Sequence, residues 1–454
     1  MRRIVILGLL AVLLAMPSPH ALAASPNPGG GNVSATVSEA ISARGSARVN
    51  VTLSALPSGP HARADLVSHA RTVQGAVLGR LAKGDFDTIY RYAGLPALTG
   101  TVTRAGLAKL AADPAVMAIT LDAVGHGAGE LAPLERETAA PSLSHSVPMI
   151  GADVVQSRGI TGSGVTVAIL DSGADTDHPD LVSSIVGQEC FLTGSGSHCP
   201  DGTTRQSGPG AAEDDLGHGS NVAGIVTSDG IVSSPGVAPG ASVFLYKILN
   251  SSNSGQLSDW DAALSDIIAN HPEVRVINMS LVTSITFAGD CSSFDPTTAA
   301  AFQTLTANGV TIFVSSGNDG AKSSITYPAC IPGAVSVGAV FDQSFSTSTF
   351  FGCTDTPATI DTPTCWSNSR PDLALLAPGT FIISDGLDGG TSDFIGTSQA
   401  SPHAAGTAAL LLQASPALTP DQIIARLETS GVARTDPANG IQTPRIDALA
   451  AVFP

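Results

Sequence analysis

Charged and aromatic side chains are scarce in this 454-residue chain. Only 13% of the residues are charged and 4% are aromatic, whereas charged residues make up about a quarter of an average protein. A core dominated by large aromatic rings is therefore excluded. The interior must be built from Ala, Val, Ile and Leu, which is typical of buried parallel strands. The length allows two or three domains, each with a substantial core.

Basic residues are also few, with 21 Lys and Arg against 38 Asp and Glu and a net charge of −17. Residues 145–454 carry 9 basic and 29 acidic residues, a net charge of −20, whereas residues 44–126 carry 9 and 5, a net charge of +4. The acidic main part argues against nucleic acid and anionic membranes as partners. The opposite net charges are consistent with docking of the N-terminal part on the main part. They are equally consistent with charges that only keep each part soluble.

Long apolar runs that could cross a membrane are missing. The run from Ile4 to Ala15 is too short to span a bilayer, and no cysteine for a lipid anchor follows it. Arg2 and Arg3 precede the run, and Ala21-Leu-Ala23 follows it. This pattern is typical of a secretory signal peptide over residues 1–23. We therefore expect a secreted protein, extracellular or periplasmic, without a membrane span.

Metal-binding cysteine spacings are absent as well, because no Cys-x-x-Cys occurs. All six cysteines lie in the main part of the chain. An even number in a secreted chain predicts three disulfides, for which 15 pairings are possible. Short polar loops favour Cys190–Cys199 and Cys353–Cys365, which leaves Cys291–Cys330.

The chain divides into segments of different character. Residues 24–43 are typical of a flexible linker. Residues 44–126 predict the order β-α-β-β-α-β of a small α+β ferredoxin-like unit. Residues 127–145 connect this unit to residues 146–454. In that last part, strands and helices alternate and predict an α/β domain with a doubly wound, mostly parallel sheet.

The segment Gly396–Gly406 carries the clearest chemical signal. Ser398 follows a Gly-Thr turn and begins a small-residue helix, where unpaired N–H groups favour a developing negative charge. A serine nucleophile needs a base and a group that orients the base. Asp171 ends an apolar strand and lies 47 residues before His218, which lies 180 residues before Ser398. The order Asp, His, Ser is one of the known orders of a catalytic triad.

These stretches resemble the subtilisin-family (subtilase) serine proteases. The matching segments are Asp171-Ser-Gly173 with His178-Pro-Asp180, His218–Gly224, Ile277–Leu281, Ser316-Gly-Asn318 and the segment around Ser398. The resemblance implies a subtilisin-like fold and a monomeric serine endopeptidase that acts on polypeptides and needs no cofactor for its chemistry. It also implies that residues 44–126 are a pro-domain, acting as intramolecular chaperone and inhibitor. Autocatalytic cleavage within the processing linker 127–145 would release it.

The resemblance assigns roles to further residues. Asn318 would donate its side-chain amide to the substrate carbonyl oxygen. The residues that would bind substrate are Ser280, Leu281, Val282, Ser316, Gly317 and Thr326. Val282 and Thr326 stand where the family often has glycine, which predicts a preference for small or medium apolar side chains directly before the cut. Asp180 matches a calcium ligand of the family. Its acidic loop therefore has two interpretations, a structural Ca²⁺ site or a loop whose charges are only solvated.

Two other classes of function stay open. A binding protein on a decayed protease scaffold is disfavoured because all four candidate catalytic residues are present. A secreted esterase is disfavoured by the chain order of the triad and by the lack of a Gly-x-Ser-x-Gly segment around Ser398. The N-terminal unit could also be a permanent accessory domain instead of a pro-domain.

Overall fold

A computed structural model describes residues 31–57, 59–131 and 143–454. The predicted signal peptide (1–23), the start of the predicted linker (24–30) and part of the predicted processing linker (132–142) lie outside these residues. Among the helices that the structure describes, none is both long enough and apolar enough to cross a membrane.

An N-terminal unit precedes the main part of the chain. Its elements are β1 (Asn32–Val33), α1 (Ala35–Arg44), β2 (Ser46–Leu53), α2 (Arg63–Leu78), β3 (Phe86–Arg91), β4 (Ala97–Thr103), α3 (Arg104–Ala112) and β5 (Val116–Leu121). The sheet order is β1-β5-β2-β4-β3. From β2 to β5 the elements follow the predicted order of strand, helix, two strands, helix and strand.

The linker predicted over residues 24–43 is wrong from residue 32 onwards. Strand β1 pairs in parallel with β5, and helix α1 packs on the sheet. Val37, Ala40 and Ile41 lie at i, i+3 and i+4 of α1 and are buried in the core of the unit. Ser, Thr and Ala are their neighbours in the sequence, so the apolar spacing of a helix is difficult to recognise there. The N-terminal unit therefore includes residues 32–44.

Two short strands, β6 (Val124–Gly127) and β7 (Glu130–Leu131), follow the N-terminal unit. The helices of the main unit are α4 (Leu143–Met149), α5 (Ala152–Ser157), α6 (His218–Thr227), α7 (Leu257–Asn270), α8 (Pro296–Ala307), α9 (Thr397–Ala414), α10 (Pro420–Ser430) and α11 (Ala448–Val452). Its strands are β8 (Thr166–Asp171), β9 (Ile185–Phe191), β10 (Arg205–Ser207), β11 (Ser242–Lys247), β12 (Ser254–Gln256), β13 (Val274–Met279), β14 (Leu281–Val282), β15 (Thr286–Phe287), β16 (Thr311–Ser315), β17 (Ile325–Thr326), β18 (Ala334–Val340), β19 (Ser348–Phe350), β20 (Cys353–Asp355), β21 (Leu375–Pro378), β22 (Ile382–Asp385), β23 (Thr391–Ile395), β24 (Val432–Thr435) and β25 (Gln442–Arg445).

Ten strands form the central sheet in the order β10-β9-β11-β8-β13-β16-β18-β21-β25-β24. The pairings from β9 to β25 are parallel, and β10 and β24 are antiparallel strands at the two edges. Side chains alternate between the two faces of the sheet. In β8, Val167 and Ile169 join the core that contains α6 and α9, whereas Ala168 and Leu170 join the core that contains α7 and α8. The predicted fold class is confirmed.

The N-terminal unit packs on α7 and α8 of the main unit. Tyr92 and Leu95 are buried in the same apolar cluster as the inner side of α7. Polar contacts accompany this packing, because Asn50 Nδ2 donates to Asp295 Oδ2 at 2.6 Å and Tyr90 donates to Asp259 Oδ1 at 2.9 Å. Asp295 is the N-cap of α8, so the N-terminal unit covers the beginning of this helix.

Three disulfides brace the main unit. They are Cys190–Cys199, Cys291–Cys330 and Cys353–Cys365. The pairing favoured by loop length is thus the observed one. Cys190 and Cys199 join β9 to the loop that follows it, and Cys353 and Cys365 close a loop of 12 residues.

Candidate active site

Asp171 and His218 lie side by side and fully buried at the carboxyl edge of the central sheet. Asp171 ends β8 and His218 begins α6, and His218 Nδ1 is 2.7 Å from Asp171 Oδ1. Burial disfavours the charged imidazolium, but the neighbouring carboxylate more than offsets this, so the pKa of His218 is raised above its ordinary value. His218 Nε2 has no hydrogen-bond partner among the described residues and is the atom able to take up a proton.

Ser398 is the second residue of α9 and is fully buried. Its hydroxyl donates to the Ser280 carbonyl oxygen at 3.1 Å instead of to His218. Its backbone N–H lies in the first helical turn, where no carbonyl of the helix can accept from it. This N–H donates to the carbonyl oxygen of Ala128 at 3.2 Å. The Ser398 N–H is therefore bound to the Ala128 carbonyl oxygen, whereas the Ser398 hydroxyl is hydrogen-bonded to Ser280 and not to His218.

The Ala128 carbonyl oxygen accepts a second hydrogen bond from Asn318. Asn318 Nδ2 lies 2.6 Å from this oxygen. Asn318 Oδ1 accepts from the backbone N of Thr397 at 3.0 Å and from Thr397 Oγ1 at 2.9 Å, which fixes the orientation of the amide. Two preorganised donors on one carbonyl oxygen stabilise the negative charge of a tetrahedral intermediate.

Gly396, directly before α9, permits this close approach. A Cβ atom placed on Gly396 would lie 2.1 Å from the Ala128 carbonyl oxygen. No real side chain fits at that distance, so only glycine allows the carbonyl to reach the N-terminus of α9.

Residues 124–131 run through the cleft as an extended segment that pairs on both sides of Ala128. Strand β6 lies between β12 and β14 and is antiparallel to both. The Ala128 N–H donates to the Ser280 carbonyl oxygen at 3.1 Å and continues this pairing. Beyond Ala128, strand β7 pairs with β23. Main-chain pairing of this kind is how an extended peptide adds to an exposed strand.

Three of the predicted substrate-binding residues lie directly beside this segment. Leu281 and Val282 form β14 and lie opposite Gly127 and His126. Ser280 supplies the carbonyl oxygen that accepts from both Ala128 and Ser398.

Ser316, Gly317 and Thr326 lie together beside Asn318. Thr326 donates twice to the Ser316 carbonyl oxygen, from its backbone N at 3.0 Å and from its hydroxyl at 3.1 Å. A Cβ atom on Gly317 would lie 2.6 Å from Thr326 Cγ2, so the threonine methyl occupies the space beside this glycine.

His218 also lies against the residue after Ala128. A Cβ atom placed on Gly129 would be 2.9 Å from His218 Nε2. The nitrogen that can carry a proton is therefore next to the amide that would leave if the Ala128–Gly129 bond were cut. The arrangement can perform nucleophilic acyl transfer with general base and general acid catalysis.

Asp180 lies with His178 and Asp385 in a buried cluster whose possible ligand atoms are within 4.8 Å of one another. The ligand atoms of Asp180 and His178 are already used in hydrogen bonds, whereas Asp385 Oδ2 is buried without a hydrogen-bond partner among the described residues. The Asp180 carboxylate accepts from the backbone N–H groups of Ile231, Val232 and Ser233. His178 Nε2 contacts the Gly390 carbonyl oxygen at 2.8 Å, and its Nδ1 accepts from the Asp180 N–H at 3.1 Å. Calcium prefers oxygen ligands, so a histidine and a row of backbone N–H groups do not fit it.

Several residues of the cleft were missed by the sequence analysis. They are Ala128, Gly129, Asn253 and Trp260. The one signal that could have pointed to them is the alternation Gly125-His-Gly127-Ala-Gly129, in which every second residue lacks a side chain.

Comparison with known proteins gives matches over most of the chain. Residues 162–443 match the model of the subtilase family. Subtilisin E of Bacillus subtilis (strain 168) is 31% identical over 343 residues, which are 74% of this chain and 75% of that protein. Subtilisin of Bacillus pumilus is 32% identical over 300 residues, or 64% of this chain and 92% of that protein. An alkaline protease of Shouchella clausii is 30% identical over 77% of both chains. The chain therefore belongs to the subtilase family and is a subtilisin-type serine endopeptidase.

Proposed function

We propose that the chain is the precursor of a secreted endopeptidase that cuts its own Ala128–Gly129 bond with Asp171, His218, Ser398 and Asn318. The observation that carries this proposal is the Ala128 carbonyl oxygen, which accepts from Asn318 Nδ2 at 2.6 Å and from the Ser398 N–H at 3.2 Å. A peptide bond in this position is presented as a substrate.

The reaction begins when the Ser398 hydroxyl turns from Ser280 toward the carbonyl carbon of Ala128. As the bond between Ser398 Oγ and this carbon forms, His218 Nε2 takes the hydroxyl proton, and Asp171 stabilises the resulting imidazolium. Asn318 and the Ser398 N–H hold the negative oxygen. His218 then gives the proton to the Gly129 nitrogen as the C–N bond breaks. Water repeats the two steps and releases the Ala128 carboxylate from Ser398.

The N-terminal unit acts in this proposal as chaperone and inhibitor. Its sheet supports α7 and α8, and β6 connects the unit directly to the cleft. After cleavage, β6 would still fill the cleft until the unit is lost or degraded. The three disulfides and the signal-peptide pattern of residues 1–23 support release from the cell as a zymogen.

Covalent labelling tests the proposal against its alternatives. A fluorescent organophosphonate should label the wild-type protein but not Ser398→Ala, and only the wild type should hydrolyse casein. A protein that folds but is never labelled would be a decayed scaffold that only binds. Hydrolysis of a short ester at a high rate, with casein left intact, would identify an esterase.

A further inference from the structure

The wall of the cleft that faces Gly125, Gly127 and Gly129 leaves no room for side chains. Successive residues of an extended strand point to opposite faces, so these three positions share one face. Trp260, Asn253, His218 and Gln399 line that face. The side chains of His126 and Ala128 point to the other face.

Trp260 fills the space that a side chain of the fourth residue before the cut, Gly125, would need. A Cβ atom on Gly125 would lie 2.2 Å from Trp260 Cη2 and 2.3 Å from Cζ2. The indole belongs to α7 and is fully buried with Gly125 against it. The space beside this position is thus filled by the enzyme itself.

Asn253 restricts the second residue before the cut. A Cβ atom on Gly127 would lie 2.5 Å from Asn253 Oδ1. The same oxygen accepts from the Gly127 N–H at 3.1 Å, and Asn253 Nδ2 donates to the Gly127 carbonyl oxygen at 3.2 Å. A side chain at this position would break both hydrogen bonds.

The first residue after the cut meets His218 and Gln399. A Cβ atom on Gly129 would lie 2.9 Å from His218 Nε2 and 3.0 Å from Gln399 Oε1. His218 cannot shift without leaving Asp171, so a larger residue is disfavoured on this side of the cut too.

We infer that Trp260 makes this protease selective for glycine at the fourth residue before the cut. With Asn253 and Gln399, it directs the enzyme to glycine-rich extended segments of the form Gly-x-Gly-Ala-Gly. This inference rests on the proposed function, because it takes the Ala128–Gly129 bond as the one that is cut. The substrate class is polypeptides in which glycine recurs at every second position.

Matched peptides test the inference without altering the enzyme. Quenched fluorescent peptides that contain Gly-His-Gly-Ala-Gly-Glu-Leu, and versions with Ala or Phe in place of the first Gly, are given to the mature wild-type protease. We expect kcat/KM to fall about 10- to 100-fold for the Phe peptide, as over-packing at a filled site predicts. Equal cleavage of the Gly and Phe peptides would overturn the inference and leave the proposed function intact.

A variant of the enzyme then tests whether Trp260 causes the preference for glycine at the fourth residue before the cut. Trp260→Ala should raise the ratio of kcat/KM for the Phe peptide to kcat/KM for the Gly peptide at least about tenfold. Leu264→Ala is the matched control, because Leu264 is equally buried one turn along the same helix. If Trp260→Ala does not fold, the smaller change Trp260→Leu takes its place. An unchanged ratio of Phe to Gly cleavage in the folded variant would contradict the role of Trp260. If no peptide is cut and Ser398 is not labelled, the proposed function itself fails.

Discussion

At the scale of single residues, the ionisation of His218 sets when the site can act. Only the neutral imidazole can take the proton of Ser398. The Asp171 carboxylate raises the pKa of His218 despite its burial, and Asp171 ends a strand of the central sheet, outside the segment that fills the cleft. We therefore expect kcat/KM to fall as the pH falls through a value above the ordinary 6.5 of histidine.

The pH profile of peptide hydrolysis checks this expectation. Near-ultraviolet circular dichroism over the same pH range serves as the control that separates loss of the base from loss of the fold. An acid limb well below pH 6, about the lower edge of the usual histidine range, would show that Asp171 does not raise the pKa of His218 in the mature enzyme.

We expect Asn318 to act on the transition state more than on the bound substrate. Asn318→Ala removes one of the two donors to the carbonyl oxygen, and we expect kcat to fall about 10²- to 10³-fold with little change in KM. This magnitude is the one measured for the corresponding donor of a subtilisin, so it enters as an analogy. Steady-state kinetics measure the effect, and a kcat within about twofold of wild type would contradict the role of Asn318.

At the scale of helices and strands, the sequence predicted most elements with a clear apolar pattern but missed α1, whose short apolar stripe lies among Ser, Thr and Ala. Helix α6 was predicted with its observed ends, because the polar loop before it and its small buried residues mark it clearly. The edge strand β10 and the cleft strand β6 were not predicted. Val124-Gly-His-Gly127 has no apolar run, and it is a strand only because β12 and β14 pair with its main chain. Pairing partners far away in the chain leave no local signal.

Motifs in the sequence could propose the triad residues, but they could not predict which residues fill and line the cleft. Asp171, His218 and Ser398 each stand in a segment that resembles the family. Trp260 stands in an ordinary helical pattern, and its contact with Gly125 depends on how the N-terminal unit docks. The sequence also does not indicate the orientation of the Ser398 hydroxyl, which donates a hydrogen bond to the Ser280 carbonyl oxygen and not to His218.

Main-chain pairing of β6 should decide how fast the precursor is cut. His126 lies opposite Ser254 on one side and Val282 on the other. His126→Pro removes an N–H from this three-stranded arrangement, and we expect self-cleavage to slow at least about tenfold. His126→Ala is the control, because it keeps the paired main chain and removes only a half-buried side chain whose Nδ1 lies 3.2 Å from the Gly127 carbonyl oxygen. Equal rates for the two variants in a pulse–chase experiment would count against the pairing.

At the scale of the whole molecule, the contact between the N-terminal unit and the main unit buries acidic groups. Burial and the nearby charge of Asp122 raise the pKa of Asp259 to about 6, although hydrogen bonds from Thr193 act in the opposite direction. Burial also raises the pKa of Asp295, against hydrogen bonds from Thr297 and Asn50. Departure of the N-terminal unit would expose these carboxyls to water and remove the charge of Asp122, which returns their pKa values toward the ordinary range, whereas the loss of the hydrogen bonds from Tyr90 and Asn50 acts in the opposite direction.

The cleaved complex should therefore loosen as the pH rises. A group whose pKa is raised in the complex favours the complex below its free pKa, and this contribution is lost as the pH rises through the bound value. For Asp259 this pH range runs from about 4, its ordinary pKa, to about 6, its pKa in the complex. Because two pKa units correspond to a factor of about 100, we expect the dissociation constant to increase about 100-fold between pH 4 and pH 7. Size-exclusion chromatography of the cleaved protein at several pH values measures it. Asp259→Asn should flatten the dependence, and a complex that tightens with rising pH would contradict the account.

The N-terminus of the mature protein shows which bond is cut and whether Ser398 cuts it. Wild type and Ser398→Ala are expressed as full-length precursors, and their N-termini are read by mass spectrometry. The account predicts that the first product of the wild type begins at Gly129 and that Ser398→Ala keeps the bond after Ala128 intact. A wild-type cut at another bond, or a cut after Ala128 in Ser398→Ala, would contradict it.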